Sequence, residues 1–322
     1  MWGRWMSTLY LDHQYVSLKL EGETLVSWLQ DQRQRPIPLA LLERVVCLSN
    51  VQIETNLLGA LAERGIAFTV ASPRKPKRRA ILLGQGHNEA GLRLLHYRLA
   101  QDAAWRLQFS RELLAAKFKA QLKVIYAMQQ QRPDQRKSLW DAEQQVQHSL
   151  AQLATAQSLE RLLGLEGSAA RASFSALAAV LPDALGFTGR KRRPPPDPVN
   201  AALSLAFSLL HNRAVQVLHT QGLEPLLGFY HELSFGRESL ASDVIEVWRP
   251  TLEAWVWTQF SQQQLRGLHF KADANGCFLD KAGRKIFFAE IDACLRPITR
   301  ALRWQTRALI RAMRAWEAQT GV

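Results

Sequence analysis

The segment from Gly228 to Pro250 concentrates side chains that can bind a divalent metal ion. It contains one histidine, His231, and two acids three positions apart, Asp243 and Glu246, with Arg249 close behind. On a helix that spacing places both carboxylates on one face. Carboxylate and imidazole ligands together suit Mg²⁺ or Mn²⁺, hard ions that serve phosphodiester chemistry. The same pattern is also common on a solvated helix face, so the segment alone leaves both interpretations open.

A further acid, Glu166, lies in a run of small and apolar residues, LLGLEGSAARASFSALAAVLP. The alanines of this run predict a helix that packs closely against its neighbours. A carboxylate buried there would be costly unless it were paired or bound to a metal ion. The alternative is that Glu166 lies at the N-terminus of a helix, where the helix dipole favours an acid.

A proline-rich loop, GFTGRKRRPPPDP, supplies concentrated positive charge. Its four consecutive basic residues are Arg190, Lys191, Arg192 and Arg193. The prolines that follow restrict the backbone, and basic side chains on a stiff loop suit the phosphates of a nucleic acid. Asp197 is expected to cap the next helix, with Pro198 at its first position. The alternative is a solvated run of charge.

The charge of the whole chain favours a polyanionic partner. Lys and Arg number 41 against 28 Asp and Glu, a formal net charge of +13. Nucleic acid is the first candidate and an anionic membrane surface the second, while basicity that serves solubility alone is the third. A membrane-surface protein would need a continuous amphipathic basic helix. The nearest stretch, LLAAKFKAQLKVIYAMQQQ, has the apolar spacing of a core helix instead.

The composition predicts a soluble cytoplasmic protein with a substantial core. Hydrophobic residues make up 47% of 322 residues, and no apolar run is long enough for a signal peptide or a membrane span. The three cysteines Cys47, Cys277 and Cys294 form neither a disulfide pattern nor a metal-ligand spacing. A reducing compartment fits them.

The first part of the chain has the patterning of short strands. STLYLDHQYVSLKLEGETLVSWL alternates around a Glu-Gly-Glu turn, which is typical of β-hairpins. Strands are also expected over 44–48 and 67–71. Between them the spacing predicts an amphipathic helix over about 54–64, ended by Gly65.

The rest of the chain has helical periodicity. Apolar residues recur every three or four positions over 92–157, with a break at QRPDQ. In FKADANGCFLDKAGRKIFFAE, the Asn-Gly and Ala-Gly pairs predict a small hairpin. The sequence therefore predicts an α+β fold. A small β-rich N-terminal domain, residues 1–88 including a linker, precedes a larger all-helical C-terminal domain, residues 89–322.

Three segments in this order resemble a known family. They are Glu166-Gly167 followed by AAR and Phe174, the loop RRPPPDPVNAALS, and GLEPLLGFYHELSFGRESLASDVIEVWRP. The LYL opening and IPLALLERVVCLSNVQIETNLLGALAERGIAFTVAS extend the likeness. Together they resemble Cas1, the CRISPR-associated integrase family of spacer acquisition.

The resemblance implies a homodimer formed through the N-terminal domains. It also implies that two such homodimers flank a dimer of the small partner Cas2. It implies that Glu166, His231 and Glu246 bind Mg²⁺ or Mn²⁺ in the catalytic domain, with Asp243 beside them. Its reaction is attack by the 3′-hydroxyl of incoming double-stranded DNA, the prespacer, on a phosphodiester at the CRISPR repeat. Arg249 and the basic loop are then expected to contact DNA.

The sequence departs from the family pattern in three places. Ser173 stands where the family often has tyrosine, and Glu246 is followed by Val247 where a second acid is common. The residues MWGRWM precede the opening strand, either as a natural extension or as the remnant of a larger fused protein. A non-catalytic, basic DNA-binding scaffold remains the competing interpretation, because binding and catalysis both use Lys and Arg.

Overall fold

The structure is a computed structural model that describes residues 7–71, 79–84, 86–192 and 194–321. Residue contacts divide the chain into two compact units. One unit runs to Asn88 and includes His219–Gln221; the other comprises Glu89–Leu218 and Gly222–Val322. Strands dominate the first unit and helices the second, so the predicted α+β fold class is confirmed.

The N-terminal unit is built from short strands and one helix. Its elements are β1 (Ser7–Leu11), β2 (Val16–Glu21), β3 (Thr24–Leu29), β4 (Gln32–Arg33), β5 (Ile37–Pro38), β6 (Leu42–Cys47), β7 (Val51–Ile53), α1 (Thr55–Glu63), β8 (Ala67–Ala71) and β9 (Arg79–Leu82). The strand and helix predictions over 44–48, 54–64 and 67–71 are confirmed. Gly65 ends the helix with φ 65°, a left-handed conformation that glycine adopts without strain.

Two sheets form this unit. One has the order β1-β6-β8-β9, and the other has the order β4-β3-β2-β7 with β5 paired to β3. The β2–β3 hairpin turns at Gly22, as the Glu-Gly-Glu pattern predicts. The first strand of that segment, β1, pairs in parallel with β6 in the other sheet.

An apolar cluster of described residues forms a core of the N-terminal unit. Leu18 and Leu25 from the hairpin, Val45 from β6, and Leu57 and Leu61 from α1 are fully buried members of it. Each large aliphatic side chain buried in this way contributes about 1.5–3 kcal/mol to folding. The period-2 strands and the 3.6-period helix thus present their apolar faces to a common core.

The C-terminal unit consists of helices and one hairpin. Its elements are α2 (Ala90–Leu99), α3 (Ala103–Gln131), α4 (Arg136–Gln152), α5 (Leu159–Val180), α6 (Pro198–Thr220), α7 (Ser239–Ile245), α8 (Arg249–Ser261), β10 (Phe270–Asp273), β11 (Gly276–Leu279) and α9 (Lys281–Thr320). The break at QRPDQ is confirmed between α3 and α4. No helix in the described part of the chain is long and apolar enough to cross a membrane.

Two boundaries in this unit differ from the sequence prediction. The chain breaks again before α3, where the Asp102 carboxylate caps the helix by accepting from the amides of Ala104 and Trp105 at 2.8 and 3.0 Å. The Asn-Gly hairpin is confirmed as β10–β11, which also makes the unit not entirely helical. The expected Ala-Gly turn is wrong, because Asp280 caps α9 at Gly283 and draws that pair into the helix.

Candidate metal centre

Asp243 is fully buried and organises the backbone before α7. Its Oδ2 accepts hydrogen bonds from the amides of Phe229 and Tyr230 at 2.8 and 3.0 Å, and its Oδ1 accepts from the amide of His231 at 3.0 Å. Gly228 permits this close approach, because a Cβ there would lie 2.9 Å from Asp243 Oδ2. The Asp243 carboxylate therefore binds backbone amides of the loop before α7 and is not in contact with solvent.

The same carboxylate fixes the imidazole of His231. Nδ1 of His231 lies 2.7 Å from Oδ1 of Asp243, so Nδ1 carries the proton that it donates. The other ring nitrogen, Nε2, then has its lone pair available. A carboxylate behind a histidine in this way is the usual support of a metal-ligating imidazole.

Glu246 begins a short 3-10 turn, Glu246–Trp248, directly after α7. Its Oε2 accepts from Nζ of Lys117 at 2.6 Å, and its Oε1 pairs with Nε of Arg249 at 2.8 Å. Burial favours the neutral acid, but the charges of Arg249 and Lys117 outweigh it and lower the pKa of Glu246 to about 2. Glu246 is therefore a buried, ionised carboxylate.

Glu166 reaches the same lysine from α5. Its Oε1 accepts from Nζ of Lys117 at 2.5 Å, and its side chain remains 26% exposed. Ser158 caps α5 and Glu160 is the acid of its first turn, which places Glu166 further along the helix. The interpretation of Glu166 as a helix-terminal acid is therefore wrong.

Lys117 is the functional candidate that the sequence prediction missed. Its side chain is 5% exposed, and its ammonium bridges two acids that come from different helical segments. Burial lowers the pKa of Lys117, but Glu246 and Glu166 more than compensate and raise it overall. One sequence signal was available: Lys117 falls in the apolar stripe of α3 that includes Leu113, Leu114 and Phe118.

Glu253 on α8 is a buried acid that the sequence prediction also missed. Burial raises its pKa to about 7, opposed by the charges of Lys117 and Arg249 and reinforced by Glu246. It lies one helical turn beyond Arg249, whose guanidinium carbon stands 4.8 Å from the ring centre of Phe207. Glu253 therefore lies among both acidic and basic side chains, namely Glu246, Lys117 and Arg249.

The donor chemistry of the three predicted ligands fits a divalent cation. Glu166 and Glu246 converge on one positive charge, and Asp243 orients the imidazole of His231. Tyr230, whose pKa is raised by burial and then by Glu166, has a buried hydroxyl without a partner among the described residues. The described residues nevertheless contain no closed group of three His, Cys, Asp or Glu side chains around a metal position.

The basic loop is tied to α6 by its first residue. Nη1 of Arg190 donates to Asn200 Oδ1 at 2.9 Å, and Nη2 donates to Ser204 Oγ at 3.0 Å. Burial, followed by the charges of Arg192 and Arg249, lowers the pKa of Arg190 to about 10. Lys191 and Arg192 are exposed, and Arg193 lies outside the described residues.

Asn200 and Asp197 hold the loop in place. The buried Asn200 donates to the Gly189 carbonyl at 2.9 Å and accepts from the Lys191 amide at 2.8 Å. Asp197 accepts from the Asn200 amide at 2.8 Å, which confirms the predicted cap of α6. The exposed basic residues Lys191 and Arg192 therefore lie on a loop whose backbone is held by hydrogen bonds to Asn200.

Comparison with known proteins decides the family. A family model described as CRISPR associated protein Cas1 matches residues 9–293. The chain belongs to the Cas1 family. The CRISPR-associated endonuclease Cas1 1 of Thermodesulfovibrio yellowstonii is 33% identical over 296 residues, which covers 88% of this chain and 89% of that relative. The resemblance drawn from the three sequence segments is thereby confirmed.

Solved structures share this fold over nearly the whole chain. A casposase bound to an integration product matches with a TM-score of 0.81 at 16% identity, covering 96% of this chain and 90% of that one. A Cas6-RT-Cas1–Cas2 complex matches with a TM-score of 0.80 at 20% identity, covering 97% of this chain and 35% of that one. Ser173 is buried in α5.

Proposed function

We propose that this Cas1 chain is a metal-dependent DNA integrase and endonuclease of CRISPR adaptation. The observation that carries the proposal is the convergence of Glu166 and Glu246, far apart in sequence, on one cation. His231 is near enough to Glu246 for the two side chains to interact electrostatically, and its Nδ1 donates a hydrogen bond to Asp243. Two acids and one imidazole form the donor set that the phosphodiester chemistry of the family requires.

The proposed reaction inserts spacer DNA into the repeat array by transesterification. The 3′-hydroxyl oxygen of the prespacer forms a bond to a repeat phosphorus while the bond from that phosphorus to its own 3′-oxygen breaks. The hydroxyl proton is lost to solvent, and the released 3′-oxygen takes up a proton. A bound Mg²⁺ or Mn²⁺ would activate the hydroxyl and stabilise charge on the phosphoryl group.

The residues of this chain have distinct parts in that reaction. Glu166, Glu246 and Nε2 of His231 would hold the ion, and Asp243 keeps the imidazole oriented through Nδ1. Arg249 keeps Glu246 ionised and adds positive charge. The exposed residues Lys191 and Arg192 would contact DNA phosphates, with Arg193 beside them in sequence; Arg190 would contribute mainly by anchoring the loop.

The assembly that we propose is a homodimer formed through residues 1–88, joined by a Cas2 dimer, on double-stranded DNA of the prespacer and the CRISPR repeat. Residues 89–322 would be the catalytic, DNA-binding domain. Support comes from the neighbours, one of which is a casposase bound to an integration product and another a complex that contains Cas1 and Cas2. The net charge of +13 suits such a partner.

The test is an integration assay with Glu166→Gln. Purified protein is combined with its Cas2 partner, a duplex with free 3′ ends and a supercoiled repeat plasmid, with Mn²⁺ or with EDTA. We expect the variant to lose at least 100-fold in strand transfer, on the order of one catalytic electrostatic interaction, while it retains DNA binding. Strand transfer by the variant at the level of the unchanged protein would refute the site.

A second candidate is a non-catalytic DNA-binding scaffold. It is favoured by the lack of a closed group of metal ligands within the described residues. A scaffold would bind DNA with a steep dependence on salt. It would show no nicking or joining that depends on Mn²⁺, and the comparison with EDTA separates the two functions.

A further inference from the structure

Lys117 places a buried positive charge between the two carboxylates of the candidate centre. Its Nζ lies 2.5 Å from Glu166 Oε1 and 2.6 Å from Glu246 Oε2. The lysine and Glu246 are 5% and 6% exposed, whereas Glu166 is 26% exposed, so solvent reaches the site from the side of Glu166. Lys119 and Lys123 on the same helix are exposed.

Each member of this trio would be unstable in its place without the others. An isolated ammonium or carboxylate loses favourable hydration on burial, and without a partner nothing replaces it. Two carboxylates side by side also repel each other unless a cation lies between them. Arg249 pairs with Oε1 of Glu246, whereas Oε2 of Glu246 and Oε1 of Glu166 pair with Lys117.

The lysine therefore engages oxygens that a divalent ion would also need. An ammonium and Mg²⁺ or Mn²⁺ both bind carboxylate oxygens, the ion at about 2.1 Å. Removing the ammonium would leave Glu166 Oε1 and Glu246 Oε2 without the cation that they share, and would increase their attraction for a divalent ion.

We propose that Lys117 is a positioning residue that serves the centre as a built-in cation. It holds Glu166 and Glu246 together before a divalent ion arrives, and it competes with the ion for their oxygens. The inference rests on the metal-dependent function proposed above. Lys117 thereby keeps the ligands assembled and sets the metal affinity of the protein lower than its acids alone would give.

The experiment measures Mn²⁺ binding by calorimetry on the metal-free full-length protein without DNA. Lys117→Met is compared with the unchanged protein, and Lys119→Met on the exposed side of α3 is the matched control. We expect Lys117→Met to bind Mn²⁺ about tenfold more tightly, and Lys119→Met to bind as the unchanged protein does. A lysine that only supported packing would give the opposite sign, because displaced carboxylates bind a metal more weakly.

Thermal unfolding supplies a second readout. Without metal, Lys117→Met should unfold at a lower temperature than the unchanged protein, and Mn²⁺ should raise its unfolding temperature by the larger amount. Lys117→Gln keeps a hydrogen-bond donor without the charge and should behave in the same direction. If both variants fail to fold without metal, refolding in Mn²⁺ should restore them, and failure of that rescue would overturn the inference.

Glu166→Gln separates this inference from the proposed function. If the unchanged protein binds Mn²⁺ and Glu166→Gln does not, the metal site stands. Unchanged or weaker Mn²⁺ binding in the folded Lys117 variants then overturns only the role of Lys117. If neither the unchanged protein nor any variant binds Mn²⁺, the site and the inference both fail.

Discussion

Asp243 and Glu246 are three residues apart and serve different partners. Asp243 has every contact inside the protein, accepting three backbone amides and the proton of His231 Nδ1. Glu246 joins Lys117 and Arg249 instead. The sequence indicated both acids. Only the folded chain shows that Asp243 holds the backbone of residues 229–231 and that Glu246 pairs with Lys117 on α3.

Asp243→Asn should destabilise the protein, because an amide cannot accept all four hydrogen bonds and an NH₂ group would face backbone donors. A buried donor left without a partner costs about 1–3 kcal/mol. We expect the free energy of unfolding, measured with urea, to fall by about 3 kcal/mol. Asp141→Asn, at an exposed position of α4, is the control and should leave the stability unchanged. Equal stability of the two variants would contradict the role given to Asp243.

The raised pKa of Glu253 predicts that the stability of the protein depends on pH. Its pKa is raised from 4.5 to about 7 by burial, so the folded state retains a proton that the unfolded state loses. The contribution of Glu253 to the free energy of unfolding therefore falls as pH rises from about 4.5 to about 7. Glu253→Gln does not titrate, and its advantage over the unchanged protein should grow across this window by on the order of 3 kcal/mol.

Urea unfolding at pH 5 and at pH 8 measures that advantage, with Glu112→Gln at an exposed position of α3 as the control. A stability difference between Glu253→Gln and the unchanged protein that is the same at both pH values would contradict the assignment.

At the scale of elements, local patterns predict the structure wherever neighbours in sequence decide it. The helix α1, its stop at Gly65 and the strands β6 and β8 follow from periodicity and turn residues. Contacts between distant residues decide the rest. The parallel pairing of β1 with β6 depends on residues more than thirty positions away, and α9 begins early because Asp280 caps it.

The candidate site divides in the same way. Glu166, His231, Asp243 and Glu246 are recognisable from residue type and family resemblance. Lys117 is not, because a lysine among alanines and leucines on a long helix normally extends its ammonium to water. Only the packing of α3 against the segments that carry Glu166 and Glu246 shows where the ammonium lies.

The basic loop makes a prediction about DNA affinity. Because Lys191 and Arg192 are exposed and their loop is anchored by Asn200, each should contact phosphate. Lys191→Ala and Arg192→Ala should each reduce the slope of log affinity against log salt by about 1. Fluorescence anisotropy with a labelled duplex measures this, and Lys285→Ala at an exposed position of α9 is the control. Slopes equal to that of Lys285→Ala would exclude the loop from the DNA interface.

At the scale of the whole molecule, membership of the Cas1 family and a fold matched over nearly its full length place this chain among the proteins of CRISPR systems. The charge of +13 suits the DNA partner proposed above, because backbone phosphates supply most of the affinity in sequence-independent DNA binding. The acidic cluster is the exception to that charge. Its carboxylates, Glu166 and Glu246, are compensated by the buried Lys117 and the half-buried Arg249.

The most direct test of the metal site is an anomalous difference map from crystals of the protein soaked in Mn²⁺. We expect one Mn²⁺ peak within about 2.5 Å of a carboxylate oxygen of Glu166, a carboxylate oxygen of Glu246 and Nε2 of His231, with the Lys117 ammonium displaced. A Mn²⁺ peak bound elsewhere, or none at these three side chains at a concentration that supports DNA joining, would contradict it.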